Sequence, residues 1–122
     1  MKTEQEILAL SNPYESYSYC LNNKETANIK AHEKMIIDSK VLYYYLLFAM
    51  NIPGADIKTF EKLIIESKNP EICYKFAKNI KNSNKQLLSE IVLASSSFYF
   101  IELFYKNIDF DKEKYKTLMM FL

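Results

Sequence analysis

The chain has 122 residues, room for one domain with a modest core rather than two. A composition of 49% hydrophobic and 25% charged residues excludes a disordered chain, and one glycine with three prolines leaves too few turns for an all-β fold. Sixteen basic residues, every one a lysine, against 15 acidic give a net charge of +1. That balance argues against nucleic acid as a partner, and the lack of arginine removes the guanidinium fork used on phosphates and guanine edges.

Taken in chain order, the pattern predicts nine short helices, at 2–10, 13–22, 29–38, 41–51, 57–67, 70–79, 85–94, 97–107 and 112–121. The first stretch, MKTEQEILALSNPYESY, carries acidic residues and only a short apolar run, so it is expected not to be a secretion signal. Asn12-Pro13 opens the second helix and Asn28 caps the third. The fourth, VLYYYLLFAM at 41–50, is the longest apolar run and far short of a membrane span. Pro53-Gly54 then breaks the chain, and Asp56 caps a fifth helix whose Ile57, Phe60, Leu63 and Ile64 recur at helical spacing. Asn69-Pro70 opens the sixth helix, which carries Ile72, Cys73, Phe76, Ala77 and Ile80 on one face. Asn84 caps the seventh, and Asp111 repeats that role before the last.

These helices recur with a period. Ser11, Ser39, Ser67 and Ser95 are each 28 residues apart, and Leu8, Ile36, Ile64 and Val92 stand three positions before them. Cys20, Phe48, Phe76 and Phe104 follow nine after, and Asn23, Asn51, Asn79 and Asn107 twelve after. The expected organisation is a single helical-repeat domain over 1–122: a half repeat at 1–10, then repeats at 11–38, 39–66, 67–94 and 95–122. No insertion is needed to bring these columns into register. Helices of about ten residues are too short to hold alone, so each must bury its stripe against neighbours. The fold class expected is all-α, an α-solenoid of 28-residue helical hairpins.

The segment ADIKTFEKLIIESKNPEICYKFAKNI (55–80) resembles the short tandem helical-hairpin repeats of proteins from AT-rich bacteria, their phages and large DNA viruses. The resemblance covers nearly the whole chain, with the first copy (YESYSYCLNNKETAN) and the fourth (ASSSFYFIELFYKNIDF) departing from it. It implies a solenoid, right-handed by analogy with other helical repeats, and carries no activity or site residues. Tetratricopeptide, ankyrin and leucine-rich signatures are absent.

Little in the chain carries chemistry. His32, the one histidine, reads as a surface or helix-packing residue, and no metal-ligand spacing surrounds it. Cys20 and Cys73 lie 53 apart without a CxxC pair and read as packed thiols of a cytoplasmic protein. The asparagine column reads as left-handed helix closure and the serine column as helix caps. Glu61, Glu66, Asp109 and Asp111 read as solvated. No catalytic residue, metal site or cofactor is expected.

The aromatics stand out, with ten tyrosines and eight phenylalanines. They cluster at Tyr14/Tyr17/Tyr19, Tyr43/Tyr44/Tyr45 and Phe98/Tyr99/Phe100/Phe104/Tyr105, and three consecutive tyrosines cannot all face one core. Tyr17, Tyr43, Tyr44, Tyr74, Tyr99 and Tyr105 are the expected partner-binding residues, with Met50 and Lys78 flanking them. Met119, Met120, Phe121 and Leu122 end the chain without a polar cap and are the candidates for self-association, a homodimer through the last helix. The expected function is a non-enzymatic protein–protein interaction module. Two alternatives share the architecture: a phage-type inhibitor, such as an anti-CRISPR or other anti-defence protein, and a nucleic-acid-binding solenoid using Lys24, Lys78, Lys81 and Lys106.

Overall fold

The computed structural model describes residues 2–120. Among them are nine α-helices and one 3-10 turn, with no strand, so the chain is all-α. The helices are α1 Glu4–Ala9, α2 Pro13–Asn22, α3 Ile29–Ser39, α4 Leu42–Asn51, α5 Ile57–Ser67, α6 Pro70–Asn79, α7 Lys85–Ala94, α8 Phe98–Asn107 and α9 Lys116–Met119. The last element departs from expectation. In place of a helix over 112–121, a 3-10 turn at Glu113–Tyr115 leads into the four residues of α9.

Six of the helices (α1, α2, α3, α5, α6 and α7) start at a short polar side chain that takes up free backbone donors, whereas α4, α8 and α9 have no such cap. Asn28, Asn69 and Asn84 accept from Ala31, Ile72 and Leu87 N–H, and Asp56 from Thr59 N–H at 3.2 Å. Thr3 and Glu6 form a reciprocal capping box on α1. At the hairpin turns a serine closes one helix and opens the next. Ser39, Ser67 and Ser95 donate Oγ–H to the carbonyls of Ile36, Ile64 and Val92 at 2.6, 2.5 and 2.6 Å. The same oxygens accept N–H from Val41, Asn69 and Ser97, at 3.3, 3.2 and 3.3 Å.

Ser11 does not join this set. The left-handed residue of the turn is Lys40 in one hairpin and Lys68 in the next, 28 apart; in the first hairpin it is Ser11 itself, 29 before Lys40. Six residues separate α2 from α3 (23–28), whereas five separate α4 from α5 (52–56) and α6 from α7 (80–84). An extra residue in that loop shifts the first hairpin by one, which corrects the insertion-free register. Ile7, buried, therefore takes the place of Leu8 in the column of Ile36, Ile64 and Val92.

The chain divides into two compact units between Phe60 and Glu61, within α5. In the first, α2 packs on α3 and α4, and Phe48 and Tyr45 meet Phe60 with ring centroids 5.7 Å away in each case. In the second, α6 packs on α7 and α8, and Phe76, Leu88, Val92, Ile101 and Phe104 form a dry core.

Successive hairpins are joined by a carboxylate. Glu4 Oε2 accepts the N–H of Asn28 at 2.8 Å, Glu33 that of Asp56 at 2.7 Å and Glu61 that of Asn84 at 2.7 Å. Each acceptor sits on a first helix and each donor is the cap of the next hairpin's first helix, so a donor left free by helix geometry is satisfied across the repeat. Glu33 is buried in doing so, and Glu61 is a joint between repeats rather than a solvated charge. In the fourth hairpin Gln86 plays this part for Asp111 N–H at 3.0 Å.

Candidate functional site

The second helix of each hairpin (α2, α4, α6, α8) buries one side and presents the other. On α4 the buried residues are Tyr45, Leu46, Phe48 and Ala49. Tyr43 stands five residues before Phe48, about 140° away around the helix at roughly 100° per residue. Tyr43 is accordingly 52% exposed. The equivalent second helical position is Tyr14 on α2, 61% exposed, and Tyr99 on α8, 67% exposed; on α6 it is Glu71. Three of four hairpins thus hold an outward tyrosine at the same rung.

The expected tyrosines divide among three environments. Tyr43 and Tyr99 are open to water. Tyr17, Tyr44 and Tyr105 are half-buried: Tyr44 lies 6.1 Å from Tyr17 and 5.9 Å from Tyr43, and Tyr105 lies 6.2 Å from Tyr115. Tyr74 corrects the expectation of exposure. At 5% exposed it takes the core position that Leu46 holds on α4, with Phe100 and Phe104 each 6.2 Å from its ring. Met50 on α4 and Lys78 on α6 are both exposed, Lys78 with its Nζ 6.0 Å from the ring centre of the buried Tyr74. Tyr14 and Phe98, both exposed, were not among the expected binding residues. Pro13, one residue before Tyr14 as Leu42 is one before Tyr43, was the available signal. At the end of the chain Met119 is half-buried and Met120 is 80% exposed, while Phe121 and Leu122 lie outside the described residues.

The asparagine column does not close helices in the left-handed conformation. Asn51, Asn79 and Asn107 are helical, and the capping residues Ile52, Ile80 and Ile108 are extended. Their amides do other work. Asn23 and Asn79 donate to the carbonyls of Tyr19 and Lys75, while Asn51 and Asn107 donate to the hydroxyls of Tyr17 and Tyr74 at 2.9 and 3.1 Å. The amide thereby fixes a tyrosine on the preceding hairpin.

His32 anchors a buried polar cluster in the first unit. Its Nε2 lies 2.9 Å from Glu4 Oε2, its Nδ1 is hydrogen-bonded to Ser16 Oγ, and Tyr19 stacks on the ring at 5.3 Å. A carboxylate only accepts, so Nε2 carries the hydrogen, and in the neutral ring Nδ1 accepts from Ser16. Equivalent positions elsewhere are apolar or aromatic: Phe60, Leu88 and Tyr115 for His32, and Tyr45, Cys73 and Ile101 for Ser16. The trio has the residue types of a hydrolytic triad. However, Ser16 and His32 are both 0% exposed, and the serine and acid occupy the opposite ring nitrogens from those of a serine hydrolase. This arrangement fills a core position and leaves no path for a substrate to the hydroxyl.

An open groove of about 1110 Å³ lies along the outer side of α1 and α2, lined by Glu4, Glu6, Glu15, Ser18, Tyr19 and Asn22 among others. Polar residues make up most of its lining, and Lys2 pairs with Glu15 at 3.6 Å across it. Among the described residues no cluster of His, Cys, Asp or Glu could hold a metal ion, and no helix is long and apolar enough to cross a membrane. Cys20 and Cys73 are free and buried, and burial raises both thiols to about 12. Comparison with protein-family models, with curated proteins and with solved structures finds no match to this chain.

Proposed function

We propose that this chain is a non-enzymatic protein-interaction module whose second helices offer aromatic side chains to a protein partner. The observation that carries the reading is the exposed tyrosine at one equivalent position of three hairpins, Tyr14, Tyr43 and Tyr99. Large aromatics at fully buried positions (Phe48, Phe76 and Phe104) serve folding, whereas these three leave most of their rings in water. An exposed tyrosine supplies contact area at low conformational cost, with a hydroxyl that stays satisfied when covered. The balanced charge favours a protein over a polyanion as the partner. Buried free thiols suit a reducing compartment such as the cytoplasm.

The test is capture of partners from host lysate by the tagged full chain, with nuclease present, at low and high salt. The reading expects a protein retained at high salt. Recovery of nucleic acid that disappears as salt rises would replace it with a nucleic-acid-binding function.

A further inference from the structure

Near the end of the second unit one lysine keeps unusual company. Lys34, Lys75, Lys106 and Lys116 each lie 3.0 Å or less from the carboxylate of a neighbour on the same helical stretch. Lys112 has Asp109, Asp111 and Glu113 close by in sequence, yet it makes no ion pair among the described residues. Its Nζ lies instead over two rings, 5.2 Å from the centre of Tyr105 and 5.6 Å from that of Phe110. Both distances are within reach of cation–π attraction. Those rings stand on a fixed support. Tyr115 is 1% exposed and donates its hydroxyl to the Ser89 carbonyl. Phe110 stands edge-on to Tyr115 at 5.0 Å and to Phe104 at 5.1 Å, and Tyr105 lies 6.2 Å from Tyr115. Tyr105, Phe110 and Lys112 are half-buried, so the corner between the two rings reaches the surface.

We propose that Tyr105 and Phe110 form a binding site for a quaternary ammonium group, with Lys112 as its tethered, displaceable occupant. A primary ammonium is strongly hydrated and carries three N–H donors, to which ring faces offer no full-strength acceptor. A trimethylated nitrogen keeps the charge, has no N–H to satisfy and buries its methyl groups on the rings. The corner therefore suits the alkylated cation better than the one it holds. Lys112 stays there because it follows Phe110 by two residues, which keeps its effective concentration high. The site is separate from the outward tyrosine rung and does not depend on the protein-binding reading above.

Tetramethylammonium chloride titrated into the full chain, with sodium chloride holding the ionic strength constant, tests the site by NMR. Ring currents shift the Lys112 ε-protons upfield in the free protein. As the site fills, they return to the ordinary lysine position, and the Tyr105 and Phe110 ring signals move while those of the exposed Tyr99 do not. Lys112→Ala removes the competitor and tightens binding about five-fold, the size of one cation–π contact. Phe110→Leu abolishes saturation at unchanged helicity, and Lys78→Ala leaves the titration as in the wild type. Choline and a peptide bearing trimethyllysine then separate the sources: tighter binding of the peptide places the group on a protein, and equal binding assigns a small free cation. Shifts that rise without saturating in both the wild type and Lys112→Ala, or a Lys112→Ala chain that binds no tighter, overturn the proposal.

Discussion

His32 shows how a polar residue can occupy a core position when its neighbours are chosen to match. Ser16 and Glu4 satisfy its two nitrogens, and Glu4 at the same time holds Asn28 N–H. Removing one member strands another: Ser16→Ala leaves Nδ1 without its partner and is expected to cost about 1–3 kcal/mol. Replacing both, Ser16→Ala with His32→Phe, recreates the apolar pairing of the other hairpins and is expected to cost less than the single change, a non-additivity readable in urea melts. Buried acids of another kind set the alkaline limit. Burial raises the Cys20 and Cys73 thiols from 9.0 to about 12 and the Tyr115 hydroxyl from 10.0 to about 12. The unfolded chain loses these protons first, so their contribution is full below the unfolded values and is lost as pH climbs from about 9 towards 12. Stability measured against pH should be level through neutrality and fall above that point; an unchanged stability at the top of the range would contradict the burial.

At the level of the element, the serine clasp and the one-residue shift make opposed predictions for residues of the same type. Ser67→Ala breaks a bond that closes α5 and one that opens α6, and a loss of about 1 kcal/mol is expected, as for Ser39→Ala and Ser95→Ala. Ser11→Ala, which touches no such clasp, should be close to neutral. Lys68 holds a left-handed conformation at φ 56°, and Lys68→Gly should raise stability by about 0.5–1 kcal/mol as relief of strain exceeds the added entropy of the unfolded chain. The helices were legible in the sequence because caps and apolar spacing agree, as at Asn69-Pro70 and Asp56. The register of the first hairpin was not. Ser11 matches Ser39 in identity and spacing, while the extra residue between Asn22 and Ile29 lies in a loop with no pattern to betray it. The carboxylate joints were hidden as well, since Glu33 and Glu61 differ in no way from surface glutamates until the next hairpin is laid against them. Of the surface, Tyr43 and Tyr99 were legible as members of runs too long to bury. Which of several neighbours faces outward depends on helix phase, and that is why Tyr74 was misplaced and Tyr14 overlooked.

Across the whole molecule one local design is reused with different surfaces. Phe48, Phe76 and Phe104 keep one buried position aromatic through three hairpins, the first unit exchanges a pair of core positions for His32 and Ser16, and the outer rungs vary as well. Those rungs are aromatic in three hairpins and charged in the other, and the open side of α1 and α2 is lined mostly by polar residues. Selection for folding alone does not demand exposed rings at Tyr14, Tyr43 and Tyr99, so their removal should leave the fold intact. The direct measurement is capture of the salt-resistant lysate partner by a variant carrying Tyr14→Ser, Tyr43→Ser and Tyr99→Ser, compared with wild type at matched helicity and melting temperature. A native melting temperature with the partner lost is the result this account predicts. A variant that melts early, or one that keeps its partner undiminished, would show that these tyrosines serve the fold or nothing at all.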